Sequence, residues 1–182
     1  AQAEKIVFSF GFRSKDVISV LPSLNDIAKG YPLRYVVIAN PESDLSGLYE
    51  AKKKYNFIDL RTRALPLDEL YDYLYASDVL LIHRESSQKY KAVVSSSVCQ
   101  LLGSGCPILF HQSNYVELHG SEIIKYRDFE DMKTKLIELF QGKLFNLTRI
   151  KDFLKNYEAE RIAERFIKLF EKLMEARERR RK

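Results

Sequence analysis

The sequence predicts an α/β protein: a doubly wound, Rossmann-like parallel sheet of about six strands with helices on both faces, and C-terminal helices packed alongside. Three observations predict it. Short apolar runs alternate with helical patterns along most of the chain. The strands are separated by helices of about ten or more residues, which implies right-handed crossovers between parallel neighbours. The runs VVIA and VLLI are continuously apolar rather than alternating, as strands buried on both faces are.

Each element has a local reason. Lys5–Phe10 (KIVFSF) reads as a strand and GFRSKD as the loop after it. Val17, Ile18, Val20, Leu21, Leu24, Ile27 and Ala28 form a helical stripe that Gly30 ends. Pro22 lies inside the stripe and is expected to kink the helix or delay its start. Leu33–Ala39 is a second strand, residues 45–55 a more polar helix, and residues 57–65 contain a third strand. Leu67–Ala76 is a short helix with Asp68 and Glu69 in its first turn, where the helix dipole favours acids. A fourth strand at 78–83 leads into a polar loop at 84–91 and a helix at 93–102, closed by Gly103 and Gly105. Residues 107–111 form a fifth strand, 121–126 hold a sixth, and 128–140 are amphipathic through Phe129, Met132, Leu136, Ile137 and Phe140. Two helical stretches follow, the last with Ile162, Ala163, Phe166, Ile167, Phe170, Leu173 and Met174 on one face.

The chain has 182 residues, 46% hydrophobic and 30% charged, which suits one globular domain spanning 1–182. No stretch approaches the roughly 18 uncharged apolar residues of a membrane span. The opening AQAEKIVFSF lacks the pattern of a secretory signal, and the missing initial Met fits an excised domain. Cys99 and Cys106 are too few for a disulfide framework and suggest a reducing, cytoplasmic setting. Of the net charge of +5, residues 177–182 carry +4, so the body is nearly neutral and nucleic acid is not an expected partner. This basic tail reads either as a solvated helix end or as a patch for anionic lipid, a peripheral contact at the inner membrane face.

In a doubly wound sheet, ligands bind beyond the carboxyl ends of the strands, where the strand order reverses. Three segments qualify. Gly11-Phe12-Arg13-Ser14-Lys15 puts a flexible glycine and two cations ahead of a helix, which suits a phosphate; an ordinary turn with solvated Arg13 and Lys15 reads equally well. It is neither GxGxxG nor a Walker loop. In His83-Arg84-Glu85-Ser86-Ser87, Arg84 and Glu85 either reach a ligand or decorate a surface loop. His83 has no accompanying nucleophile and reads first as a strand-end histidine bonded to backbone. Ser95-Ser96-Ser97 at a helix start offers amides and hydroxyls to an anion, or one cap and two small packing residues. His83, His111 and His119 with two cysteines do not have metal-site spacing, and Cys99 reads as a buried small hydrophobe. Asn146-Leu147-Thr148 is a glycosylation sequon that a cytosolic protein does not use. The eleven tyrosines and eleven phenylalanines lie along apolar faces, as core and interface residues rather than a base-stacking platform.

Taken in order, these segments resemble the C-terminal, donor-binding half of GT-B fold glycosyltransferases, in the large retaining family that uses nucleotide sugars. The clearest stretches are LPLDELYDYLYASDVLLIHR (65–84) and SSSVCQLLGSGCPILF (95–110), the latter with Gly105-Cys106-Pro107-Ile108 at the family's Gly-x-Pro-Val turn. SFGFRSKDVISVL resembles the family's loop after its first C-domain strand, and residues 123–139 its later helix. The resemblance implies that Lys15 and Arg13 neutralise the donor diphosphate as the catalytic cations, with Gly11 at the turn. It implies that Ser95, Ser96 and Ser97 cradle the same phosphates, that residues 61–65 lie beside the base, and that Arg84, Glu85 and Gln100 touch the donor. It implies a UDP- or GDP-linked sugar as substrate, with no cofactor and no metal, since cations and amides stabilise the departing diphosphate.

The sequence also departs from the family. Two glutamates usually contact the sugar and the ribose; counting back from Gly105-Cys106-Pro107 puts Gln100 at the second position and Ala92 at the first. Gln100 retains hydrogen-bonding capacity, Ala92 has none, and Glu85 is the candidate substitute. Phe12 stands where the family often has Arg, so Arg13 is an offset match. The acceptor-binding half is not in this sequence, and catalysis needs both halves closed over the donor. The expectation is therefore a nucleotide-sugar-binding domain of a hexosyltransferase, inactive alone and completed by an N-terminal acceptor domain or a separate subunit. The alternative is a non-catalytic nucleotide-sugar-binding or assembly module on the same fold. A receiver-like signalling domain would need acids at the strand ends, where this sequence has Arg13 and Lys15.

Overall fold

A computed structural model of the chain describes residues 3–11, 13–91, 93–145 and 147–179. Six strands form one sheet: β1 (Lys5–Phe10), β2 (Leu33–Ala39), β3 (Ile58–Thr62), β4 (Val79–Ile82), β5 (Ile108–His111) and β6 (Ile124–Tyr126). Their order is β3-β2-β1-β4-β5-β6 and every neighbouring pair is parallel. The connecting helices are α1 (Ser14–Ala28), α2 (Ser46–Lys54), α3 (Leu67–Ala76), α4 (Ser96–Leu101) and α5 (Phe129–Phe140). The doubly wound sheet expected from the sequence is present.

Because side chains alternate across a strand, each central strand feeds two cores. Val7, Tyr35, Val37, Val79, Leu81 and Leu109 join residues of α1, α2 and α5 in one buried cluster. On the other face, Phe8 stacks on Tyr73 of α3 with ring centroids 5.4 Å apart. Phe8, Val79 and Leu80 are completely buried, and each such side chain contributes roughly 2 kcal/mol of transfer free energy. One polar row crosses the first core. Tyr35 Oη donates to Ser9 Oγ at 2.9 Å, and Ser9 Oγ donates to the Leu81 carbonyl at 2.6 Å. Every group in this row is satisfied, so its burial is tolerated; burial raises the Tyr35 hydroxyl's pKa well above its ordinary value.

α1 starts at Ser14 and runs through Pro22, so the proline does not delay the helix. Pro22 faces solvent, while Val17, Val20, Leu21, Leu24 and Ile27 are buried on the other side. That apolar face outweighs one lost helical hydrogen bond. The helix expected over 93–102 is also shorter: α4 has six residues and is followed by a 3-10 turn at Leu102–Ser104, which Gly105 ends at φ +74°.

The chain divides into two compact units, Ala1–Phe145 and Asn146–Lys182. The second contains α6 (Leu147–Lys155) and α7 (Ala159–Arg179), the helices expected alongside the sheet. α5 places Met132 and Leu136 in a core, whereas Phe166, Ile167, Phe170, Leu173 and Met174 of α7 are all more than half exposed. Within this unit Phe153 stacks on Tyr157 at 4.6 Å. Arg177 and Arg179 of the basic tail end α7, and residues 180–182 lie outside the described residues, as does Asn146 of the sequon. No helix is long and apolar enough to cross a membrane among the described residues.

Candidate functional site

The strand order reverses between β1 and β4, which opens a crevice beyond Phe10 and Ile82. Gly11 leaves β1 at φ +63°, where an added Cβ would touch nothing. The glycine is therefore needed for its backbone conformation, not for space. Arg13 is the N-cap position of α1 without a side-chain cap, and the amides of Ser14 and Lys15 have no partner among the described residues. Two unsatisfied donors at a helix start, with the dipole behind them, favour an anion. Lys15 is exposed and has no ion-pair partner among the described residues.

Arg13, expected to act with Lys15, is engaged elsewhere. Its Nε and Nη2 donate to the Asp16 carboxylate at 3.0 and 3.2 Å. Asp16 is only 6% exposed, so this fork is a fixed part of the loop. Of the two cations, Lys15 is the one without an acidic partner among the described residues. The i,i+3 spacing of Arg13 and Asp16 was the sequence signal for this pair. Phe12 lies outside the described residues.

Next to the Gly11 turn is a cavity of about 230 Å³, lined by Phe10, Gly11, Ile38, Asn40, Arg63, Ala64 and Leu65. The carboxyl ends of β1 and β2 and the segment after β3 supply these residues. Asn40 Oδ1 accepts from the Glu42 amide at 3.0 Å, and its Nδ2 has no acceptor among the described residues. Arg61 and Arg63 are both drawn onto Tyr73 of α3: Arg61 Nη1 donates to Tyr73 Oη at 2.6 Å and Arg63 Nη2 at 3.1 Å. Asp59 pairs with Arg61 at 2.7 Å and Glu69 pairs with Arg63. Hydrogen bonds to these acids raise the pKa values of both guanidinium groups.

The β4–β6 side is built from rings. His83 Nδ1 lies 2.7 Å from Tyr126 Oη, and the His83 and His111 ring centroids are 4.6 Å apart. Phe129 closes the group at 5.1 Å from His83. The backbone partner expected for His83 is thus a buried tyrosine hydroxyl. His111 Nδ1 is 3.0 Å from the Arg84 carbonyl, which only accepts, so Nδ1 carries the proton; Nε2 has no partner among the described residues. Burial first, and then the neighbouring His111, lower the pKa of His83. Burial raises that of the Tyr126 hydroxyl.

Arg84 packs on a different ring. Its guanidinium carbon sits 4.6 Å from the Tyr115 ring, and its Nε is buried without a partner. Glu85 is exposed. The loop after β4 is held by a residue absent from the sequence reading. Asn114 Oδ1 accepts from the Ser87 amide at 2.8 Å; its Nδ2 donates to the carbonyls of Ser87 at 2.8 Å and Tyr90 at 2.6 Å. Its backbone joins in, the carbonyl accepting from Val93 at 2.9 Å.

Of the three serines, Ser95 is the N-cap of α4, its Oγ accepting from the Val98 amide at 3.4 Å. That hydroxyl is buried and used by the helix. Ser96 is exposed, and the side chain of Ser97 lies outside the described residues, as does Ala92. Gln100 is exposed, and its carbonyl accepts from Tyr71 Oη at 2.9 Å. Cys99, expected to be buried, is exposed; Cys106 is the buried one, and burial pushes its thiol up to about 12. No cluster of three or more metal-ligating side chains occurs among the described residues.

This architecture, a parallel sheet whose strand order switches beside a helix start, is that of doubly wound, Rossmann-like α/β proteins. No family model matches the sequence. In three dimensions the chain is similar to trehalose-6-phosphate synthase from Burkholderia multivorans, at TM-score 0.64 and 12% identity over 95% of this chain and 44% of that one. It is similar to a glycosyltransferase from Rickettsia africae at TM-score 0.66 and 10% identity, over 93% of this chain and 48% of that one. An E. coli trehalose-6-phosphate structure bound with UDP-2-fluoro glucose matches at TM-score 0.66 and 14% identity, over 90% of this chain and 43% of that one. The chain thus spans less than half the length of each. In fold it resembles one domain of a GT-B glycosyltransferase, as the sequence motifs led us to expect.

Proposed function

We propose that this chain is the nucleotide-sugar-binding domain of a glycosyltransferase, which moves a sugar from a nucleoside diphosphate to an acceptor held by a partner domain or subunit. The observation that carries the reading is the cavity beside Gly11, bounded by residues 63–65 and adjoining the head of α1 with its unpartnered amides. A nucleoside base fits the cavity, with Asn40 Nδ2 as a donor to it. The diphosphate then lies over Gly11, on the amides of Ser14 and Lys15 and the ammonium of Lys15. These groups are already in place before the leaving group gains charge, which is how an electrostatic site lowers a barrier. Gln100 and Glu85 are the candidates for sugar and ribose hydroxyls. The donor is a UDP- or GDP-linked sugar and needs no further cofactor. Being under half the length of the similar enzymes, the chain binds the donor and requires the other half for turnover.

Titration with UDP, GDP and their sugar conjugates, followed by amide NMR, tests this. Saturable shifts at Gly11, Asn40, residues 63–65 and Lys15 are expected. Lys15→Ala should weaken diphosphate binding about tenfold, one charge-assisted contact. Shifts confined to other parts of the chain, or none at millimolar ligand, overturn the reading.

A further inference from the structure

A second pocket lies at the other side of the carboxyl edge, between the loop after β4 and the loop from β5 to β6. Its volume is about 460 Å³, and Ser86, Gln112, Ser113, Asn114, Glu117 and Lys125 contribute to its lining. Ser113 is 8% exposed, yet its Oγ has no hydrogen-bond partner. A buried hydroxyl without a partner is costly unless something else satisfies it. Gln112 and Glu117 are exposed, and their side chains have no partner among the described residues. Ser86 Oγ accepts from the Asn114 amide at 3.2 Å, so its own proton remains free to donate.

We infer that this pocket binds a neutral polyhydroxyl ligand, a sugar ring or a comparable polyol, separately from any nucleotide. The chemistry of the lining selects that class. Hydroxyls, a primary amide and a carboxylate together offer both donors and acceptors, which is what ring hydroxyls require. A multivalent anion is disfavoured, because the Glu117 carboxylate shares the lining with Lys125, whose ammonium keeps its charge but already donates to the His119 carbonyl. A volume of about 460 Å³ is ample for one monosaccharide. Asn114 does not bind the ligand: its side chain is used up in holding residues 87–90, and so fixes the shape of the pocket. The pocket lies toward β5 and β6, away from the cavity at β1–β3, so it does not depend on the donor reading.

The test titrates the full chain with methyl α-glucopyranoside, myo-inositol and inorganic phosphate, following backbone amides. Saturable shifts at Ser86 and residues 112–117 are expected with a sugar or inositol at millimolar concentration. They should persist when UDP is saturating. Ser113→Ala and the exposed Glu117→Gln should each weaken the response about tenfold, one hydrogen-bonded contact apiece. Glu117→Gln is at the surface and keeps the test interpretable if Ser113→Ala disturbs folding. Three outcomes overturn the inference: no saturable shift with either polyol, tighter binding of phosphate at the same amides, or displacement of the polyol by UDP. The last would merge the pocket with the donor site, whereas failure of UDP to bind anywhere leaves the polyol result standing.

Discussion

The two sides of the carboxyl edge solve opposite problems. Beyond β1 to β3 the backbone is open: Gly11 turns at positive φ, and the first amides of α1 and the Lys15 ammonium have no partner among the described residues. Beyond β4 to β6 the backbone is covered, by two histidines, Tyr126 and Phe129, and by a loop that Asn114 ties at three side-chain bonds. The open side can wrap a charged group without moving, since backbone amides need no rotamer search. The covered side offers side chains whose positions depend on one another. A ligand that needs charge neutralised is served by the first arrangement, and one that needs many weak hydrogen bonds by the second.

Asn114→Asp is the largest blow to this contrast. It replaces an amide donor with a carboxylate facing the carbonyls of Ser87 and Tyr90, at an expected cost of about 3 kcal/mol. Urea unfolding should shift accordingly and protease should cut within 86–93; an unchanged midpoint would mean that the loop is held by something other than Asn114. Gly11→Val attacks the open side. A β-branched residue at φ +63° costs about 1–2 kcal/mol even where its side chain has room, and nucleotide shifts should fall with it. Gly11→Asn, which tolerates that conformation, should lose less on both measurements. His83→Gln is the smallest change. Its pKa is lowered in the folded chain, so the unfolded chain takes up the proton first as pH falls. The wild type should lose stability from about pH 6.5 downward until the folded value is passed. The variant should show a shallower acid limb in thermal melts, and an identical limb would remove His83 from the account.

The open side was largely legible in the sequence, because its parts are neighbours in the chain. A strand, a glycine and a helix start in one stretch of residues announce a turn that presents amides, and the continuous apolar runs VVIA and VLLI announce the sheet behind it. What the local pattern does not show is the role of Asp16: the stretch GFRSKD reads as a loop with two cations, whereas Asp16 lies in the first turn of α1 and takes Arg13. The covered side was mostly illegible for the reverse reason. Asn114 meets residues more than twenty positions away, and His83 finds Tyr126 at a separation of 43. Such pairs follow from β4, β5 and β6 lying side by side, which strand order decides and local spacing does not. Cys99 is exposed, against its apolar reading, because α4 is too short to bury a full stripe, and Pro22 does not delay α1 because a solvent-facing proline costs a helix less than its apolar face returns.

The exposed apolar stripe of α7 has a spectroscopic consequence. Phe166, Phe170, Leu173 and Met174 offer a ready surface for anilinonaphthalene dyes while the sheet is fully packed. Bright dye fluorescence, commonly taken as the mark of a loosened core, should here accompany an intact near-ultraviolet dichroism signal. With no tryptophan and eleven tyrosines, that dichroism reports chiefly on rings such as Tyr35 and Tyr126, locked in the sheet. The two signals should therefore part company on heating, the dye responding to α7 and the tyrosine band to the sheet.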